Sequence, residues 1–139
     1  MDDVQVVQQP CQVFVALAEE GWADGPATLS TAAHYLGPLF AGADAPDTLV
    51  LGCTHFPVLA SALLRTIGGD IALVDSAETT AGPVAEALDS GGLATAETGD
   101  GAIRFFATDS PERFARVGAI FLGREIDEAD VELVDLRNA

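Results

Sequence analysis

Lysine is absent from this 139-residue sequence. Its six cationic side chains are all arginines, set against 22 carboxylates, for a formal net charge of 6 − 22 = −16. So few cations argue against nucleic-acid binding and against adhesion to anionic membrane surfaces, both of which depend on clustered positive charge. Cysteine is nearly as scarce. Cys11 and Cys53 are the two in the chain, which is too few for a disulfide framework, and a reducing compartment, the cytoplasm, is expected. No apolar run reaches the length of a membrane-spanning helix. The opening MDDVQVVQQP carries acids where a secretory signal carries positive charge, so no such signal is expected.

What remains is substantial. Apolar residues make up 49% of the chain, enough for a hydrophobic core and far from the composition of a disordered segment. The length suits one ordinary domain.

Short apolar runs alternate with helical periods. Val4–Val7 reads as a short strand, and a helix from about Val13 to Glu20 stops at Gly21. Ser30–Phe40 reads as an amphipathic helix with Ala33, Leu36 and Phe40 on one face. Thr48–Gly52 is a buried-strand pattern, and Pro57 suits the first turn of a helix ending at Gly68-Gly69. Ile71–Val74 is a second buried strand, with Ser76 as N-cap of a helix to about Leu88. Asp89–Gly101 reads as a loop or hinge. Ile103–Ala107 is a third strand. Ser110-Pro111 starts a helix that would bury Phe114, Val117, Phe121 and Leu122, and Val131–Leu136 is a last strand at an edge. This alternation predicts an α/β fold with a mostly parallel sheet and helices on both faces.

Chemistry concentrates in one place. Cys53, Thr54 and His55 follow a strand directly and precede a predicted helix, where ligands bind in open α/β sheets. A helix N-terminus favours a thiolate, the nearby imidazole can share or hold a proton, and Thr54 offers a hydroxyl to a carboxylate. Packing at a strand end explains Cys53 equally well. A metal site is disfavoured, because the remaining soft ligands, Cys11 and His34, lack ligand spacing.

The run Leu51-Gly-Cys-Thr-His-Phe-Pro-Val-Leu59 resembles the second active-site motif of bacterial glutamate racemases. The likeness extends to Cys11-Gln-Val-Phe-Val-Ala-Leu-Ala-Glu-Glu-Gly21, with Gln12 and Ala16 where the family usually has proline. It continues through Leu73-Val-Asp-Ser-Ala-Glu78, Ala107–Phe114 and Phe121-Leu-Gly123, in the family's order. The resemblance implies cofactor-independent interconversion of L- and D-glutamate, supplying D-glutamate for peptidoglycan, in a fold of two pseudo-symmetric α/β domains. Inversion needs a base on each face of the α-carbon, and in this family two cysteines serve. By that likeness Cys53 deprotonates L-glutamate, His55 assists it, Glu19 orients or charge-tunes His55, and Thr54 helps bind the substrate carboxylate. Without the likeness, Glu19 and Glu20 read as two solvated acids at a helix end. Cys11 reads as packing, and His34 as a surface or lightly packed residue.

The family's opening Asp-Ser-Gly motif and its first cysteine motif have no counterpart here. The expectation is therefore a C-terminal half. Residues 1–82 would be part of the second domain, carrying the Cys-Thr-His motif. Residues 83–139 would be a crossover helix and elements returning to a mostly absent first domain, leaving Phe105, Phe114 and Phe121 in need of cover. The isolated chain should be inactive. Its implied partners are glutamate and the missing N-terminal half, from the same parent chain or a separate polypeptide, and a homodimer of the parent is left open. The alternative is a catalytically dead racemase-like protein that binds or regulates.

Overall fold

The computed structural model describes residues 4–95, 99 and 101–136. The chain forms two compact units, Met1–Thr79 and Thr80–Ala139, with parallel strand pairing in each.

The first unit opens with helix α1, Gln12–Glu19, which ends where Gly21 takes a φ of 73°. Helix α2 follows over Pro26–Phe40, then strand β1 over Thr48–Leu51. A single 3-10 turn, Phe56–Leu59, leads into helix α3, Ala60–Ile67, which is closed by Gly68 at φ 111°. Strand β2, Ala72–Asp75, returns parallel to β1, Thr48 facing Ala72 and Leu51 facing Asp75. This is a strand–helix–strand crossover, the local unit that parallel pairing requires. The core beneath it joins Cys11, Phe14, Leu17, Ala32, Leu36, Leu51, Leu59 and Leu63. Thr28 is fully buried with them, its hydroxyl donating to the Trp22 carbonyl at 2.6 Å.

Helix α4, Ser76–Ser90, runs across the boundary at Thr79 and has no buried residue among those described. In the second unit, strand β3, Phe105–Ala107, pairs in parallel with β4, Val131–Leu133. Helix α5, Pro111–Leu122, and a 3-10 turn at Glu128–Asp130 lie between them in sequence. A small core joins Ala107, Ala115 and Val131, with Phe105 and Ile126 packed against it.

Several sequence expectations need correction. Val4–Val7 is not a strand: Val4, Val6 and Val7 are 66–81% exposed, and no described strand lies alongside to take their hydrogen bonds. Helix α2 starts four residues before Ser30, and its buried face carries Thr28, Ala32 and Leu36 rather than Ala33. Strand β1 is not buried throughout, since Thr48 and Val50 are exposed and only Leu51 is fully covered. Ser76 does not cap α4; the Asp75 carboxylate does, accepting from the Ala77 and Glu78 N–H groups at 2.7 and 2.9 Å. Pro111 does start α5, yet Ser110 sits at φ 43° and gives its hydroxyl to Asp109 instead of the helix. Helix α5 buries Ala115 and Val117, while Phe114, Phe121 and Leu122 stay 36–51% exposed. The two-stranded sheet beneath it is too small to cover a whole apolar helix face. Of the loop expected over Asp89–Gly101, Asp89 and Ser90 belong to α4, and positions 96–98 and 100 lie outside the described residues.

Candidate active site

The site is built at the carboxyl end of β1. Leu51 anchors the strand in the core, and the chain turns immediately through Gly52, Cys53, Thr54 and His55. The turn is held by the Phe56 N–H donating to the Cys53 carbonyl at 3.1 Å. The α-helix proper begins only at Ala60, after the 3-10 turn, so Cys53 does not sit against the first turn of a long helix as the sequence pattern suggested.

What Cys53 does have is His55. Its Sγ lies 3.9 Å from His55 Nδ1, and on the ring's other side Nε2 lies 2.6 Å from Glu19 Oε1. Glu19 is the last residue of α1. Thiol, imidazole and carboxylate are thus linked in sequence, with the His55 and Glu19 side chains 30% and 25% exposed. Partial burial strengthens such a contact over one in open water without isolating it from a ligand. With the proton on Nε2 donated to Glu19, Nδ1 is left to accept the proton of Cys53. A group that accepts and returns protons is therefore in reach of a thiol, which is the requirement for general acid–base work by sulfur. The Sγ···Nδ1 separation is long for a hydrogen bond, and a small approach closes it.

Every sequence-designated site residue is accounted for. Cys53, His55 and Glu19 come together; Thr54 is exposed on the same turn. Glu20, beside Glu19, is exposed at the helix C-cap. Cys11 lies elsewhere in function: it is 7% exposed, its Sγ donates to the Gln9 carbonyl at 3.4 Å, and burial pushes its thiol pKa up. A buried thiol held protonated is a packing residue. His34 is exposed, with its ring edge against Tyr35. Among the described residues no group of three or more His, Cys, Asp or Glu side chains could hold a metal ion, and no helix is long and apolar enough to cross a membrane.

Sequence reasoning missed the support behind the turn. Phe14, 1% exposed on α1, meets Phe56 edge-on at 5.4 Å and Tyr35 edge-on at 5.4 Å. Phe56 immediately follows His55, which was a signal available in the sequence.

No protein-family model matches the chain. The glutamate racemase of Syntrophus aciditrophicus is 45% identical over 124 residues, 89% of this chain and 45% of that protein. The solved glutamate racemase of Thermus thermophilus, in complex with β-chloro-D-alanine, superposes with a TM-score of 0.76 at 38% identity. It is covered over 48% of its length by 94% of this chain. That of Francisella tularensis, in complex with D-glutamate, gives 0.76 at 29% identity, over 94% of this chain and 47% of that one.

In sequence and in fold the chain is thus similar to α/β amino-acid racemases. Among these, its relatives are glutamate racemases, and it spans about half the length of the curated ones it matches.

Proposed function

We propose that this chain is the C-terminal half of a cofactor-independent glutamate racemase, with Cys53 as one of its two bases. The observation that carries the reading is the placement of the His55 ring between Cys53 and Glu19, with Cys53 Sγ 3.9 Å from Nδ1 and Glu19 Oε1 2.6 Å from Nε2. The complex of a relative with D-glutamate supports glutamate as the substrate. In this reading residues 1–82 belong to one racemase domain and residues 83–139 to a crossover helix and parts of the other.

The α-proton of an amino acid is very weakly acidic, so its removal needs a positioned base on one face and a proton donor on the other. Cys53, as thiolate, takes the proton of L-glutamate; a thiol on the opposite face delivers one to the α-carbon, giving D-glutamate. His55 accepts the Cys53 proton before turnover and Glu19 holds the imidazole in the required orientation. Thr54 helps bind the substrate carboxylate, a local attraction that an anionic substrate needs in approaching a chain of net charge −16. The opposing thiol comes from outside these 139 residues, since Cys11 is buried and occupied. D-glutamate made this way serves peptidoglycan synthesis, in the cytoplasm.

The test is racemisation followed by circular dichroism. This chain alone should leave L-glutamate unchanged. Completed by the other half of a glutamate racemase, fused or mixed, it should racemise, and Cys53→Ala should abolish the activity. Turnover by the isolated chain, or by the completed Cys53→Ala protein, would overturn the reading.

A further inference from the structure

Helix α1 touches the Cys-Thr-His turn at two adjacent residues. Glu19 holds His55, and five positions earlier Phe14 packs edge-on against Phe56, with the ring planes at 83°. An α-helix fixes the distance between its own residues at 1.5 Å of rise per position. The turn therefore rests on a rigid ruler. Phe14 is itself immobilised from a second side by Tyr35 on α2, at 79°. Cys53 and His55 are separated by 3.9 Å, where a few tenths of an ångström decide whether thiol and imidazole share a proton.

We propose that Phe14 is a positioning residue: its edge-to-face contact with Phe56 sets how closely the turn lies against α1 and so fixes the His55 ring relative to Cys53. Edge-to-face pairs have a directional preference beyond the area they bury. A smaller aliphatic side chain at position 14 keeps the core apolar but removes that direction. The inference deepens the racemase reading and rests on it only for the consequence in turnover, because thiol–imidazole coupling can be read without glutamate.

The experiment is alkylation of Cys53 by iodoacetamide across the pH range, on the full chain, read at the Cys53 peptide by mass spectrometry. Phe14→Leu should slow alkylation near neutral pH about tenfold, the loss of one hydrogen bond to a charged group, and erase the part of the profile that follows imidazole protonation. Phe56→Leu should do the same, and the double variant should fall no further, since both remove one contact. Leu36→Ala, in the same core, should lower thermal stability without moving the profile. The proposal is overturned if the Phe14 and Phe56 variants alkylate like the parent, if their effects add, or if Leu36→Ala reproduces them. His55→Ala separates this from failure of the racemase reading. Slowed alkylation in His55→Ala with none in Phe14→Leu overturns the positioning role alone. Unchanged alkylation in His55→Ala overturns both.

Discussion

Glu19 Oε1 and His55 Nε2 meet at 2.6 Å across 36 residues of sequence. That contact joins the end of α1 to the turn after β1, and it selects Glu19 over its neighbour Glu20 as the carboxylate that acts on the imidazole. Glu19→Gln retains the size and an oxygen acceptor but removes the charge. In the completed enzyme it should lower kcat about tenfold or more, by weakening a charge-assisted bond, with KM little changed. Glu20→Gln should leave both as they were. Steady-state kinetics on the two variants decide the matter.

The cap of α4 gives a prediction on stability. Asp75 accepts two backbone N–H groups of the first turn, and Ser76 accepts neither. Asp75→Ala should therefore destabilise the chain by about 1 kcal/mol, the usual cost of losing an N-cap. Ser76→Ala should lie within about 0.5 kcal/mol of the parent. Urea unfolding with a helix-sensitive signal distinguishes them.

Cys11 predicts how stability varies with pH. Burial raises its thiol above the ordinary value of 9.0, so the folded chain holds this proton more tightly than the unfolded one. Between the two values the unfolded state binds fewer protons, and stability falls as pH rises. The contribution is intact below pH 9.0 and is lost as pH climbs through the higher, folded value. Melting temperatures should decline as pH rises above 9.0, and Cys11→Ala should flatten the decline. A decline of the same slope in the variant would assign it to other groups.

Local signals in the sequence located most elements and misjudged what covers them. Gly21, Gly68 and Pro111 stop or start helices where expected, because backbone conformation there is decided by the residue itself. Val50 reads as buried because it lies in an unbroken apolar run, yet it is 66% exposed. Burial depends on layers that composition does not reveal. On α2, Leu36 and Phe40 face the core as expected, while Ala33 is exposed and Ala32 is buried in its place, and the helix starts at Pro26, before the apolar period begins. Asp75 and Ser76 are both good caps, and in the folded chain it is the Asp75 carboxylate that accepts the first-turn N–H groups. The thiol and imidazole were legible as neighbours two residues apart. Their carboxylate was legible only through a family likeness, since nothing local links α1 to the turn. Phe14 behind them lies in a helical stretch with no local signal that marks it as their support.

The central claim, that Cys53 is one of two bases on opposite faces of the α-carbon, is tested most directly by hydrogen origin. The completed enzyme is given L-glutamate in deuterated water and the first product is analysed by mass spectrometry. Two bases predict deuterium at the α-carbon of the D-glutamate formed, with the remaining L-glutamate still carrying its own hydrogen, and no product from Cys53→Ala. D-glutamate that keeps the substrate's hydrogen, or deuterated product from Cys53→Ala, would contradict the account.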